Sequence, residues 1–550
     1  MNIQLRAVSS LEKYLPWVND PEGMAPPYLE GLRGEVIHWQ IACRLEGADR
    51  ALPVRAELSS PIGEKLSLRR VVTVPVRLAA YPDSGEGYLS DQPGLYPDLL
   101  DRADGHRLRL QPGQWQFLWL SLSTDELTPA GEHGVSLSLL DDESGEKLAS
   151  LSQTLRVLSA ALPEQKLVYI RWMHYDCIAQ AHGMEPLGEK HWAAMESYIA
   201  CALRGGINTV MVPMHTPPLD TRIGGERATV QLVGIRREKG EWRFEMSEAK
   251  RFIKMCQRLG VSYYEMPHLF TQWGAKHAPK IMVDDEGSWR RVFGWETEAT
   301  GEEYQGFLSA YIPALRRLLR DEGIEKRTIW HISDEPNEEQ LPQYAAVRAM
   351  LKPLLSGCTV SDALSSVEYY DKGIIERPIA ATTHIKPFLK KHVEGLWAYY
   401  CCGQYRDVSN CFIAMPSGRT RILAAQLFKY RITGFLHWGF NFYHAQYSDY
   451  PINPYLTTDA DNWVPAGDPF IVYPGEGNAP LESLRMAVMM ESMQDLRAMQ
   501  LLEGLVGHDR AVEVIEKAAG RPIAFEDSRF DAAAVTAIRR AVNEAILAAK

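Results

Sequence analysis

The segment Trp330-His331-Ile332-Ser333-Asp334-Glu335-Pro336 sets two adjacent carboxyls at the end of an otherwise apolar run. Like charges this close cannot both ionise freely, so their pKa values separate. One stays anionic and the other can keep a proton near neutrality, as general acid catalysis requires. The competing reading is helix capping, with Asp334 or Glu335 starting the helix EEQLPQYAAVRAM, where the dipole favours negative charge.

Adjacency also constrains the reaction. A conventional retaining glycosidase sets its acid and its nucleophile on opposite sides of the anomeric carbon, with carboxyls ~5 Å apart. Two consecutive residues approach from one side and do not straddle a sugar. A substrate-assisted route suits them better, in which a 2-acetamido oxygen attacks while Glu335 protonates the leaving oxygen. Asp334 then holds the acetamido N–H and the cationic intermediate. Neither a metal nor another cofactor is expected, and the sequence has no HExxH motif.

The elements that must position this pair follow from the pattern along the chain. Residues 1–160 carry short alternating runs such as EVIHWQIACRL, LRRVVTVPVRL and GQWQFLWLSLS between Gly, Pro and Asp clusters, which predicts a β-sandwich. ALPEQK at 161–166 reads as a hinge. From Leu167 apolar runs alternate with amphipathic stretches. The runs are LVYIRWMHY, INTVMVPMH, VSYYEMPHLF, RTIWHISDEP, CTVSDAL, PIAATTHI, GLWAYYCCG and GFLHWGFNFY. Eight such units predict a (β/α)8 TIM-like barrel over 161–505, followed by C-terminal helices with a small appendage at 506–550.

Active sites of such barrels lie at the C-terminal strand ends. Those ends present His174, His215, His268 and Trp273, then Asp334 and Glu335, then Trp397 and Tyr399, and finally Trp438, Asn441 and Tyr443. The nine residues other than the carboxyl pair are candidate substrate contacts. Three histidines at successive strand ends invite a zinc reading, but their spacing is not local, and sugar contacts or structural hydrogen bonds fit better. Asp362 reads as a solvated strand-end or capping group rather than a substrate contact, Asp468 and Arg485 as a structural polar pair or a cap rather than catalytic, and Cys401-Cys402 as packing.

Composition narrows the partners. The net charge of −11 argues against a nucleic-acid backbone or an anionic membrane surface and leaves a small glycan or glycoconjugate open. The opening MNIQLRAVSSLEKYLPWVND shows no basic segment leading into an apolar one, so a cytoplasmic location is expected. No run approaches the ~20 apolar residues of a membrane-spanning helix.

WHISDEP, then GLWAYYCCG, TRILAAQLFKYRITGFLHWGFNFY, GDPFIVYPG and LESLRMAVMMESMQDLRAM, in that order, resemble glycoside hydrolase family 123, a group overlapping the domain-of-unknown-function 4091 family. The similarity covers roughly residues 165–505. It implies an N-terminal β-sandwich, a catalytic barrel, and β-N-acetylgalactosaminidase activity by substrate assistance. The family's Asp–Glu pair falls on Asp334 and Glu335, and its aromatic blocks fall on Trp397, Tyr399 and Trp438. The rival classes are a glycosidase of the same fold for another sugar and a non-catalytic carbohydrate-binding protein.

Overall fold

A computed structural model describes residues 2–62, 65–102 and 106–550. The N-terminal region is β-rich. One five-stranded sheet runs Asn2–Ser9, Val36–Glu46, Trp115–Ser123, Leu66–Val76, Gly94–Arg102. A second runs Glu30–Arg33, Lys147–Ala161, Gly131–Asp141, Leu52–Ser59, Arg107–Leu110. Period-2 alternation turns every other side chain inward. Trp39, Ile41, Leu118 and Leu120 of the first sheet thus meet Val54, Leu137, Leu139 and Leu155 of the second in one core.

The second region holds a curled parallel sheet flanked by helices. Its order is Thr359–Val360, Thr328–Trp330, Tyr263–Glu265, Thr209–Met211, Val168–Arg171, Gly434–His437, Trp397–Tyr399, Ile379–Ala381, Ala363–Leu364. The two outermost members belong to the single run 358–364, with Ser361 and Asp362 between them. The paired segments are only two to four residues long. The rest of each apolar run continues past the ladder into the loops above it.

The alternation of strand and helix is irregular in its connections. Two connections carry β-hairpins that pair into a separate sheet, in the order Glu241–Glu245, Gly234–Glu238, Ile281–Asp285, Ser288–Phe293. This sheet is absent from the sequence reading although EWRFE alternates charged and apolar residues, because its strands are short and lie inside the long connections between the barrel-type runs. The connections after 363–364 and 379–381 hold only the short helices Glu368–Asp371 and Lys386–Lys390. The longer helices do follow their amphipathic stretches. Ser247–Leu259 stops at Gly260, whose φ of 89° suits glycine alone among common residues.

The inward faces of the parallel strands make their own cluster, with Ile170, Met211, Ile329, Ile379, Trp397 and Leu436. Trp397 lies across Gly434, where an added Cβ would stand 2.3 Å from the indole Cδ2. Gly434→Ala is therefore expected to cost about 1–3 kcal/mol by overpacking, read as a lowered unfolding midpoint.

The C-terminal helices Leu484–Val506, His508–Ala519 and Ala532–Ala549 pack back on the molecule. Arg539 on the last of them pairs with Asp495 at 2.9 Å and with Glu35 of the N-terminal region. Among the described residues, no helix is long and apolar enough to cross a membrane.

Candidate active site

Asp334 and Glu335 follow the strand Thr328–Trp330 through the fully enclosed His331, Ile332 and Ser333. The turn is held from both sides. Ser333 Oγ donates to Thr271 O at 2.8 Å and accepts from Ala275 N at 3.1 Å, and Trp273 N donates to Asp334 O at 3.0 Å. Glu335 sits at a φ of 40°, in the left-handed region that a non-glycine residue adopts only at a cost.

The pair does not cap the following helix. Asn337 does: its side chain accepts from Gln340 N at 3.1 Å, and Gln340 Oε1 accepts from Asn337 N at 3.0 Å. A reciprocal capping box leaves both carboxyls free.

Both carboxyls are partly accessible, and both open into a cavity of about 110 Å³. The walls come from the C-terminal ends of the parallel strands and their loops. Trp172 follows the strand at 168–171, Asp220 comes from the loop after 209–211, and Gln272 and Trp273 from the loop after 263–265. Tyr399, Cys401 and Cys402 come from the end of 397–399, and Trp438 follows 434–437. Trp463 closes the rim from a distal loop. Its ring lies 5.9 Å from that of Trp438, whose Nε1 donates to the buried Asp468 Oδ2 at 2.8 Å. Four indoles around two carboxyls make a pocket with apolar faces and a few converging polar groups, the usual make-up of a small-molecule site.

Burial pushes Asp334 well above the usual carboxylate range, and the charges of Glu335 and Asp362 add to the rise. Burial raises Glu335 too, while the Tyr399 hydroxyl and Cys401 thiol, both donating to it, oppose the rise. The two interact strongly, so the property that matters belongs to the pair: it keeps a proton at pH values where an exposed carboxyl has lost its own.

Beneath the pair lies a charged layer. His331 Nε2 is 2.7 Å from Glu265 Oε1, and its Nδ1 is 2.5 Å from Ser361 O and 3.4 Å from Asp362 Oδ1. Burial alone would lower His331, but the two carboxylates outweigh it and raise its pKa to about 10. Burial still holds Asp362 above its ordinary range despite the imidazolium beside it. Asp362 also accepts from Ile332 N at 3.0 Å, which fixes the strand end that delivers Asp334.

Of the contacts expected from the sequence, Trp273, Tyr399 and Trp438 line the cavity with the pair. Six do not, and each has a partner elsewhere. His174 Nε2 meets Trp438 O at 3.1 Å, and its Nδ1 faces Arg227 at 3.1 Å. Asn441 holds the backbone of His174 through bonds of 2.9 and 3.0 Å. His215 bonds His268 O at 3.0 Å, and His268 stacks on His331 at 4.8 Å. Trp397 lies one layer below Tyr399, in the apolar cluster between the strands. Tyr443 donates to Val472 O at 2.8 Å and faces a separate cleft.

That separate cleft is larger, at about 930 Å³, and borders Arg70, Asp101, His182 and Glu476. Arg70, Asp101, His182 and Glu476 there are exposed or half-exposed, and no two carboxyls are set side by side among them. Chemistry, not size, singles out the smaller cavity. Among the described residues, two groups of side chains converge closely enough to hold a cation, Asp176 with Cys177 and His444, and His268 with His331 and Asp362. Asp176 already pairs with Arg227 at 2.6 Å, and Asp362 with His331, so the carboxylates in both already face a cationic group.

Among the polar residues and indoles of the cavity, four escaped the sequence reading: Trp172, Asp220, Gln272 and Trp463. Asp220 lies in the long loop TPPLDTRIGG, where nothing in the spacing distinguishes it. The reading of Asp468 and Arg485 as one pair is corrected, since Arg485 binds Asp98 at 2.8 and 2.9 Å while Asp468 serves Trp438.

A partly accessible carboxyl pair walled by indoles at the mouth of a parallel sheet suits a carbohydrate-processing enzyme class, and sequence comparison points to the same class. The model of the glycoside hydrolase 123 catalytic domain matches residues 172–502. The chain belongs to glycoside hydrolase family 123. A family 123 glycoside hydrolase from Clostridium perfringens, whose structural analysis concerns glycolipid glycan hydrolysis, is similar in fold. Its alignment covers 100% of this chain and 99% of its own, at a TM-score of 0.74 and 14% identity. A β-glucuronidase from Bacteroides uniformis aligns with 85% of this chain and 48% of its own at a TM-score of 0.30 and 11% identity, too low to carry an argument. No curated protein matches.

Proposed function

We propose that this glycosidase removes terminal β-linked N-acetylgalactosamine with retention, using the substrate's own acetamido group as nucleophile. The observation that carries the reading is that two consecutive carboxyls enter one cavity from one strand end, neither of them serving as a helix cap. In the first step the acetamido carbonyl oxygen attacks C1. The C1–O bond to the leaving group breaks as Glu335 gives its proton to the departing oxygen. The resulting oxazolinium ion keeps its N–H, which donates to the Asp334 carboxylate. Water then attacks C1 and yields a proton to Glu335, while the C1–O bond to the acetamido oxygen breaks and restores the amide.

In the free enzyme the two carboxyls share a proton, since burial raises both and they interact. A bound acetamido N–H stabilises the Asp334 anion and so transfers the proton's weight to Glu335. The indoles of Trp273, Trp438 and Trp463 supply the apolar faces for the ring. The curled sheet acts as a (β/α)8-type barrel joined through Ser361–Asp362, with 1–160 as a sandwich domain and 506–550 as an appendage. The concern of the Clostridium perfringens relative with glycolipid glycans supports a terminal glycan residue as the substrate.

The test is a panel of aryl β-glycosides. Acetamido sugars in the galacto form are expected to turn over, with kcat/KM at least about 10³-fold above that of the 2-hydroxy analogues, since the latter lack the nucleophile. Equal rates on both would overturn the mechanism. Sugar binding without turnover on any member would favour a carbohydrate-binding protein.

A further inference from the structure

Two side chains in the cavity wall have no part in that scheme. Asp220 and Gln272 line the cavity yet are only 8% and 5% exposed. They come from different loops and are tied together, because Gln272 Oε1 accepts from the Asp220 backbone N–H at 2.5 Å. That bond orients the amide and leaves Gln272 Nε2 as a donor with no partner. Asp220 Oδ2 is an enclosed acceptor with no partner either. Ser448 Oγ donates to Asp220 O at 2.6 Å, holding the residue at a φ of 41°. Buried polar atoms are nearly always matched, so an unmatched donor and an unmatched acceptor on two joined residues of one cavity wall describe a ligand group that would fit them.

A hydroxyl is that group. It both donates and accepts, whereas a phosphate or carboxylate would be repelled by Asp220 and an ammonium would leave the Gln272 amide unmatched. We propose that Asp220 and Gln272 clamp one ring hydroxyl of the sugar in the cavity, which donates to Asp220 Oδ2 and accepts from Gln272 Nε2. The pair then determines which hydroxyl configuration the enzyme accepts. This rests on the glycosidase reading above and adds a specificity element to it. Burial raises the Asp220 carboxyl to about 7, in keeping with a group waiting for a donor.

The test compares wild type, Asp220→Asn and Gln272→Ala on the best aryl glycoside and on its monodeoxy derivatives, one ring hydroxyl at a time. Wild type is expected to lose about 100-fold or more in kcat/KM at one position, because a site built to bond a hydroxyl rejects the analogue lacking it. Asp220→Asn should lose a similar factor on the parent sugar and become indifferent at that one position, keeping its losses at the others. Its unfolding temperature should equal or exceed that of wild type, since no unmatched carboxyl is then buried. Calorimetric binding of the same sugars to Glu335→Gln gives the profile independently of turnover. Identical deoxy profiles in wild type and both variants would overturn the clamp, as would rescue of Asp220→Asn by azide, which would make Asp220 a nucleophile. Turnover of 2-hydroxy sugars alone would sink the substrate-assisted reading while the deoxy profile still decided the clamp.

Discussion

Glu335→Gln is expected to lower kcat by about 10²–10⁴-fold, the range that a positioned general acid contributes. The substitution keeps the shape of the side chain and its place beside Tyr399 and Cys401. It removes the proton given to the leaving group and the base that takes water's proton in the second step, so the leaving-group test is read in kcat/KM, which reports the first step. The loss should depend on the leaving group: large for a sugar or alkyl aglycone, small for a nitrophenol that departs without protonation. Asp334→Asn, by contrast, should slow both, because the cationic intermediate forms whatever departs. The pH profile supplies a second readout. The pair's pKa values lie above the ordinary carboxylate range. The wild-type kcat/KM should therefore persist through mildly acidic pH and fall as rising pH removes the last proton. Glu335→Gln has no such proton to lose, so its residual rate should lack that alkaline limb. A mutant profile with the wild-type limb, or equal losses on all aglycones, would assign the acid role elsewhere.

The carboxyl pair was legible because it stands at the end of an apolar strand and needs no long-range information to be found. Its freedom from capping was not legible: the helix start could have used Asp334 or Glu335, and only the structure gives that task to Asn337. The strand-end rule told which end of the sheet carries the site but not the height of a residue to within one layer. Trp397 and Tyr399 share a face by the period of 2, yet one layer of height puts the first in the apolar interior and the second in the cavity. His174, His215 and His268 occupy strand ends, but bonds to main chain and neighbouring rings absorb them. Those bonds join segments distant in sequence, as His174 with Trp438 does, so pattern alone carries no trace of them. Asp220 and Trp463 were invisible for the same reason. Each sits in a long loop whose path depends on the whole fold.

The largest expected loss of stability lies away from the catalytic pair, at Arg485. This residue is 1% exposed and makes a two-pronged pair with Asp98, at 2.8 and 2.9 Å, across the junction of the N-terminal sheet and the helix Leu484–Val506. It also donates to the carbonyls of Cys411, Gly467 and Phe470 at 3.2, 2.6 and 2.9 Å. Arg485→Met should cost about 3–5 kcal/mol, because it strands the buried Asp98 carboxylate without its counter-charge. Adding Asp98→Leu removes the stranded charge and should recover part of the loss. Recovery should stay incomplete, since three carbonyls and the Tyr473 hydroxyl, which donates to Asp98 at 2.6 Å, remain without that partner. The carbonyls of Gly467 and Phe470 flank Asp468, whose carboxylate holds the Trp438 indole at the cavity wall. Urea unfolding of the single and double variants measures the first effect. A raised KM in the double variant, at temperatures where it is fully folded, would show that this junction also keeps the indole wall in place. If Arg485→Met unfolded within about 1 kcal/mol of wild type, the junction would not hold the two regions together.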